Sequence, residues 1–287
     1  MYKSIVTEIV KRQKPKLLVI NASAFSQGNW NLTDEVYLRK WIDNMPMSQN
    51  KLDTVKTIPK NINKDDEKVK DNISDTLYFP LKKYHGNWKD PEAVYTSFVT
   101  RAYMRLSGGG YLKGFYSKTG ITGGRDNLAN IGQPTKEAYM LTDECREYLK
   151  ELLSYCNKLG IEHVLLLQPP HETQAADKSG LEQIESITKE YGYDFLDLST
   201  DYESIAGIDD SHDFADFEHL NAYGAKKLTA YIGDMAVNQY GIKSDTAKSE
   251  LSRWKKSVKR TKKALKMARE YTDRGEAQVV GEYEAAK

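Results

Sequence analysis

The spacing of apolar residues along the chain changes in ways that predict its first elements. Residues 2–12 carry apolar side chains at helical spacing and Pro15 follows, so we predict a short helix there. Residues 17–20 are an unbroken aliphatic run, typical of a strand that is buried on both faces of a parallel sheet. The polar residues 21–31 then predict a loop at the carboxyl end of this strand.

The centre of the chain has the clearest alternation of elements. We predict a helix over residues 142–159, ended by Gly160, and then a buried strand over residues 161–167. A second helix, residues 180–191, precedes a second strand, residues 193–198. Right-handed crossovers make such strands parallel and place helices on both faces. The predicted fold class is therefore α/β, a three-layer sandwich around a doubly wound parallel sheet.

The stretch between the first two strands is harder to interpret. Residues 33–45 have helical spacing, whereas residues 49–75 are rich in Lys, Asp and Asn and are interrupted by Pro59. We expect residues 49–75 to form a surface excursion with some helix and no core. It belongs to a larger helical and loop insertion that we place at about residues 49–135.

The last part of the chain predicts a closing helix followed by a basic tail. The closing helix ends near Gly241, and residues 244–274 then hold eleven Lys and Arg against four Asp and Glu. The apolar residues of this tail recur at helical spacing and are Leu251, Trp254, Val258, Leu265 and Ala268. Such a helix either docks onto an anionic lipid surface, polymer or nucleic acid, or covers an apolar patch and keeps a solvated basic face. We divide the chain into a domain, 1–242, and this tail, 243–287.

Composition adds few constraints on function. A 287-residue chain with 39% hydrophobic and 29% charged residues and a net charge of +1 is typical of one large globular domain or two small ones. Cys145 and Cys156 lie in one predicted helix, roughly 16 Å apart along its axis, which is too far for a disulfide. The chain as written has no signal peptide and no apolar run of membrane-spanning length, so we expect it in the cytosol.

Asp216 and His219 are the candidate catalytic pair. They lie three residues apart on a predicted loop that opens the closing helix. A histidine that takes a proton from a serine hydroxyl needs a carboxylate to fix its tautomer and to stabilise the imidazolium, and this loop supplies both groups. The alternative is a structural histidine beside an Asp that only caps the helix. Asn221 is a cap of the same helix or a contact to substrate or oxyanion.

The segment around this pair resembles the last block of the SGNH (GDSL-like) hydrolases. Residues that match the pattern Asp-x-x-His-Leu-Asn-x-x-Gly-Ala-x-Lys of bacterial cell-envelope members are Asp216, His219, Leu220, Asn221, Gly224, Ala225 and Lys227. Upstream matches include Lys14-Pro15-Lys16, Arg39, Asp43-Asn44-Met45, Ser48, Phe79-Pro80-Leu81, Tyr84-His85, Trp88, Lys113-Gly114-Phe115 and Pro169-Pro170. The resemblance covers roughly residues 10–240.

The resemblance implies an SGNH-type, flavodoxin-like sheet that lacks the first strand and the Gly-x-Ser block of the family, because this chain starts too late to contain them. It implies ester hydrolysis or O-acyl transfer on envelope polysaccharide or teichoic-acid-like polymer, outside the membrane. His219 would be general base and then general acid, Asp216 its orienting partner, and an upstream serine the nucleophile. The rival hypothesis is a truncated or noncatalytic carbohydrate- or polymer-binding domain.

Further candidates lie near the carboxyl ends of the strands, where α/β folds bind ligands. Ser23 is the best replacement nucleophile within the chain, although its surroundings lack the glycines of a sharp nucleophile turn. The resemblance instead places Asn21 and Ser23 among oxyanion or substrate contacts. His171 follows two prolines at a strand end and either lines the pocket or is simply exposed.

The remaining histidines suggest no further chemistry. We expect His163 to be structural and His85 to be structural or pocket-lining. His212 lies in a cluster of carboxylates whose irregular spacing does not support a metal site, so we expect no metal and no cofactor. The expected partners are an envelope glycan or an acylated small substrate, with no specific nucleic acid.

Overall fold

The computed structural model describes residues 2–26, 39, 41–61, 77–78, 89–106, 110–121, 140–170, 178–216, 219–244 and 247–286. Its helices are α1 (Tyr2–Val10), α2 (Ser23–Ser26), α3 (Gln49–Asn61), α4 (Pro91–Leu106), α5 (Asp143–Lys158), α6 (Ser179–Glu190), α7 (Tyr202–Ala206), α8 (Ala222–Asp234), which a π-helical segment (Met235–Gln239) extends, α9 (Lys248–Asp273) and α10 (Glu282–Ala286). Its strands are β1 (Leu17–Asn21), β2 (Ser117–Lys118), β3 (His163–Gln168), β4 (Asp194–Asp197), β5 (Phe214–Asp216), β6 (His219–Leu220) and β7 (Val279–Val280). Within these ranges no helix combines the length and the apolar character needed to cross a bilayer.

The fold is α/β, and a parallel sheet with strand order β1-β3-β4 confirms that part of the prediction. In the central strand β3, every residue after His163 is buried. The expected burial of residues 17–20 on both faces is wrong, since only Ile20 of that run is buried and Val19 is 39% exposed. The reason is position, because β1 is at the edge of the three described strands and has a neighbour on one side only.

The chain divides into two compact units, and the first comprises residues 1–97, 135–166 and 177–195. Its core confirms the predicted alternation of helix and strand. Thr142 caps α5 by accepting a hydrogen bond from the Cys145 N–H, and Gly160 ends the helix with a φ of +68°, a conformation that favours glycine. The apolar face of α5 packs with α6, and both cysteines are buried in this core as free thiols.

One segment of the first unit differs from the sequence prediction. Helix α3 packs against α1, and Lys51, Thr54 and Val55 are buried, so residues 49–61 are not a surface excursion. The interface is held by polar groups, since Asn50 Nδ2 donates to the Ser4 carbonyl oxygen at 2.9 Å and Thr54 Oγ1 donates to Ser4 Oγ at 2.6 Å. A search for apolar periodicity does not detect such an interface.

The second unit comprises residues 98–134, 167–176 and 196–287. Residues 243–287, which we predicted as a tail, fall within this unit. Helix α9 is present as predicted, but Ala264 and Ala268 on it are buried in a cluster with Ala222 of α8 and Val280 of β7. Small side chains on α9 allow this close packing, and β7 then pairs antiparallel with β2.

Candidate functional site

A two-stranded antiparallel hairpin, rather than the predicted loop, carries the candidate catalytic pair. Strands β5 and β6 pair so that Asp216 lies opposite His219 and Phe214 lies opposite Leu220, with a register irregularity between Phe214 and Asp216. Residues directly opposite each other in such a ladder bring their side chains together. Phe214 is fully buried in an apolar cluster with Leu167 and Leu198, and this cluster anchors the hairpin.

The side chains of Asp216 and His219 form a hydrogen-bonded pair. Nδ1 of His219 lies 2.7 Å from Oδ1 of Asp216, and the side chains are 40% and 36% exposed, respectively. Because a carboxylate only accepts hydrogen bonds, this contact needs a proton on Nδ1, and in the neutral ring that tautomer leaves the lone pair on Nε2. Within the described part of the chain, Nε2 makes no hydrogen bond. The pair therefore has the geometry that a general base and its orienting carboxylate require.

Lys118 completes a three-residue cluster that the sequence did not predict. Its Nζ donates to Oδ2 of Asp216 at 2.7 Å and lies 3.1 Å from Nδ1 of His219. Both oxygens of Asp216 are therefore occupied, Oδ1 by His219 and Oδ2 by Lys118. No local signal identified Lys118, because it lies 98 residues before Asp216 inside the segment we took as an insertion.

The position of Lys118 depends on the end of the chain. Lys118 lies opposite Val279 in the ladder between β2 and β7. Beyond β7, Glu282 accepts hydrogen bonds from the Tyr103 hydroxyl at 2.5 Å and from the Leu112 N–H at 2.7 Å. Burial and the hydrogen bond to Glu282 raise the pKa of Tyr103 to about 12. Burial also acts to raise the pKa of Glu282, but the hydrogen bonds outweigh it and the pKa is lowered.

Asn221 has the capping role, and the substrate or oxyanion role proposed for it needs correction. Its Oδ1 accepts from the N–H groups of Tyr223 and Gly224 at the start of α8, which confirms capping. Its Nδ2 donates to the carbonyl oxygens of His212, at 2.6 Å, and Gly120, at 3.2 Å. The amide is buried and all four of its hydrogen-bonding positions are used, so none remains for a ligand.

Two further residues of the family-like pattern also have structural roles. A Cβ on Gly224 would lie 2.5 Å from the carbonyl oxygen of Asp213, so only glycine fits without displacing the backbone. The Asp213 carboxylate is fully buried, and Lys227 Nζ lies 2.6 Å from its Oδ2. The matches at Gly224 and Lys227 thus reflect how α8 packs on the segment before the hairpin.

Asp213 also forms a second Asp–His pair. Nδ1 of His212 lies 3.0 Å from Oδ1 of Asp213, and the His212 ring packs on Tyr223 with centroids 4.6 Å apart. The other carboxylate oxygen accepts from the Asp209 N–H at 2.8 Å as well as from Lys227. Within the described residues no group of three or more His, Cys, Asp or Glu side chains is arranged to hold a metal ion.

Of the other candidate residues, the structure describes Asn21, Ser23 and His163. Asn21 and Ser23 belong to the first unit, where Ser23 opens the short helix α2 in the stretch expected to be a loop. The Ser23 hydroxyl donates to Oδ1 of Asn21 at 2.6 Å. His163 is the first residue of β3, near Glu162. His171 and His85 lie outside the described residues.

Comparison of the chain with protein-family models, curated proteins and solved structures finds no match. The likeness to SGNH hydrolases therefore depends on the residues quoted from the sequence. Of these, Asp216 and His219 have a geometry suited to proton transfer, whereas Asn221, Gly224 and Lys227 stabilise the fold around them.

Proposed function

We propose that this chain is an SGNH-like esterase or O-acyltransferase domain that acts on cell-envelope polysaccharide or teichoic-acid-like polymer. The observation that carries the proposal is the 2.7 Å hydrogen bond between His219 Nδ1 and Asp216 Oδ1 on a half-exposed hairpin. The parallel α/β sheet is compatible with the three-layer, flavodoxin-like architecture that belongs to this proposal. The family-like residue pattern supports the substrate class.

The proposed mechanism assigns four proton transfers to one nitrogen, two in each half of the reaction. Nε2 of His219 takes the proton of a serine hydroxyl while the serine oxygen attacks the ester carbonyl carbon. It then returns the proton to the departing alkoxide, which leaves an acyl-enzyme. Water or a glycan hydroxyl next gives its proton to Nε2 and attacks the acyl carbon, and the imidazolium then returns this proton to the departing serine oxygen. Asp216 holds the ring and stabilises the imidazolium in both steps.

A direct test compares ester turnover by the chain and two histidine variants. Acetate release from O-acetylated polysaccharide and from p-nitrophenyl acetate is measured for the wild type, His219→Ala and His212→Gln. We expect His219→Ala to lose about 1,000-fold in kcat/KM. His212→Gln, which changes the other Asp–His pair, should stay within about twofold of wild type. Measurable turnover that is equal in wild type and His219→Ala would refute the proposed role of His219.

The nucleophile is identified by a separate experiment. The folded chain is treated with a serine-directed fluorophosphonate, and any adduct is located by intact mass and peptide mapping. An adduct at Ser23 makes that residue the nucleophile, contrary to the contact role that the family resemblance gives it. A folded chain that remains unlabelled and turns over no ester supports the rival function instead.

That rival is a noncatalytic carbohydrate- or polymer-binding domain, and the position of Lys118 favours it. The Lys118 ammonium binds the same carboxylate, Asp216, and lies 3.1 Å from Nδ1 of His219, so Asp216 does not serve His219 alone. A binding domain would retain the O-acylated glycan equally well in wild type and His219→Ala and would release no acid from it. Glycan retention on an affinity column, measured beside acid release, distinguishes the two functions.

A further inference from the structure

Helix α9 has two halves with different surroundings. In its second half, Ala264, Ala268 and Thr272 are buried against the rest of the second unit. In its first half the apolar side chains instead face solvent: Leu251 is 42% exposed, Trp254 52% and Val258 49%. The apolar periodicity of α9 therefore continues beyond the part of the helix that the unit covers.

The first half of α9 is held in place by its opposite side. Ser257 is buried and its hydroxyl donates to the carbonyl oxygen of Tyr111. Arg260 donates to the carbonyl oxygen of Ala285 and lies over the Tyr111 ring. These contacts fix the rotation of the helix, so its exposed side is a defined surface of the folded protein.

Lysines flank the exposed apolar side chains. Leu251, Trp254, Lys255, Val258, Lys259 and Lys262 line one shallow groove, which we call the α9 surface. Its three lysines make no ion pair within the described part of the chain, whereas Lys266 and Arg253 on the same helix lie near Glu270 and Glu250. The α9 surface therefore combines unneutralised positive charge with exposed apolar area.

We propose that the α9 surface docks onto an anionic lipid bilayer, with the helix lying flat at the interface. A tryptophan and two aliphatic side chains beside lysines are the composition of helices that bind at this depth. The lysines attract anionic headgroups, while Trp254, Leu251 and Val258 enter the boundary between headgroups and acyl chains. A soluble polyanion satisfies only the lysines and leaves the apolar side chains in water. Docking through the α9 surface does not depend on the ester chemistry proposed above.

The test uses the full chain and vesicles of two compositions. Co-sedimentation is measured with phosphatidylcholine vesicles that contain 30 mol% phosphatidylglycerol, about the anionic content that gives a strong surface potential, and with pure phosphatidylcholine. We expect binding to the anionic vesicles only. Changing Lys255, Lys259 and Lys262 together to Gln should lower the partition constant about 100-fold, because each lysine near an anionic leaflet contributes roughly fivefold. Trp254→Ser with Val258→Ser should lower it about 30-fold.

Matched variants control for charge and for exposed apolar area. Changing Lys150, Lys158 and Lys189 to Gln removes the same charge from α5 and α6 and should leave the partition constant unchanged within about threefold. Val237→Ser removes a side chain that is 60% exposed. The charged residue one helical turn before it is Asp234, not a lysine, so this change should leave the partition constant unaffected. Circular dichroism confirms that each variant retains its helix content.

Three results would overturn the proposal. The first is no binding to anionic vesicles at low salt. The second is binding that needs the lysines but is unchanged in the Trp254/Val258 variant, and that polyphosphate abolishes, which would indicate a polyanion site. The third is equal loss in the control variants, which would indicate nonspecific adsorption. Quenching of tryptophan emission by brominated lipid in wild type, with loss of that quenching in Trp254→Phe, would support insertion at the interface.

Discussion

Two Asp–His pairs lie close together in the sequence, and the solvent exposure of the two carboxylates distinguishes them. Asp213, beside His212, is fully buried and also binds the Asp209 N–H and Lys227. Asp216, beside His219, is about one-third exposed. Both oxygens have partners in each carboxylate. A fully buried carboxylate is a structural support, whereas a partly exposed carboxylate beside an open imidazole nitrogen is suited to proton transfer. Residue types alone do not separate these roles.

The two regions also differ in what positions them. The Asp213 region is local, since the partners of its carboxylate among the described residues lie between residues 209 and 227. The Asp216 region includes Lys118, which reaches it through the pairing of β2 with β7. The Asp213–His212 pair is therefore built by one stretch of chain. The candidate site needs three stretches, which are β2, β7 and the hairpin of Asp216 and His219.

The largest effect should come from the lysine of the buried pair. Lys227→Met leaves the Asp213 carboxylate buried without its cation, so we expect it to lower the free energy of unfolding by about 3 kcal/mol. Chemical denaturation measures this, with Lys226→Met as the control because Lys226 is an exposed neighbour on the same helix. Equal stability of the two variants would mean that the Asp213 region does not support the fold.

The next effect should be on activity. Under the proposed function, Asp216→Asn removes the charge that stabilises the imidazolium, and we expect kcat/KM for ester hydrolysis to fall about 100-fold, or about 2.7 kcal/mol. The free energy of unfolding should change by less than about 1 kcal/mol, because the side chain is partly exposed. A loss of stability as large as that of Lys227→Met would make Asp216 a structural residue like Asp213.

Glu282 tests the dependence of the candidate site on the end of the chain. Glu282→Gln weakens the hydrogen bonds from Tyr103 and Leu112, and we expect it to lower the free energy of unfolding at pH 7 by about 2 kcal/mol. Since the pKa of Glu282 is lowered on folding, its contribution is full above its ordinary value of 4.5 and is lost as the pH falls below that value. Denaturation from pH 7 to pH 3 should therefore show wild type and variant converging. A constant difference, or the same change in Glu270→Gln, would contradict this account.

The smallest effect should come from the lysine of the candidate site. Lys118→Met breaks an ion pair whose two side chains are both about one-third exposed, so we expect a cost of at most about 0.5 kcal/mol in the free energy of unfolding. Chemical denaturation measures the free energy of unfolding of Lys118→Met and of Lys227→Met under the same conditions. The two variants are matched, since each lysine binds the Asp of one Asp–His pair. A cost near 3 kcal/mol would show that the Asp216 carboxylate behaves as a buried group.

The elements that the sequence predicted well are those whose signals are local. Helix α5 has its cap at Thr142, its terminator at Gly160 and an apolar face in between, and β3 is an apolar run with a turn before it. Helix α3 was missed as a packed element because hydroxyl and amide groups hold it to α1. Polar interfaces have no periodic apolar signature, so sequence spacing does not reveal them.

The candidate site was predicted only in part for a similar reason. Asp216 and His219 are close in sequence, and the spacing was enough to suggest their pairing, although the hairpin that pairs them was expected to be a loop. The contrast between Asp213 and Asp216 depends on solvent exposure, which the sequence does not encode at single positions. The cap role of Asn221 was one of two alternatives, and the two carbonyl partners of its Nδ2 decided it.

The sequence by itself determined the α/β class, the helices and strands with apolar periodicity, and the residue types available for chemistry. The tertiary structure alone decided that Lys118 meets Asp216, that Asp213 is buried, and that α9 belongs to the second unit while part of its apolar side stays exposed. The physical reason is the range of the interactions. Helix periodicity, caps and turns act over a few residues, whereas burial and ion pairing join groups that approach each other only after the chain has folded.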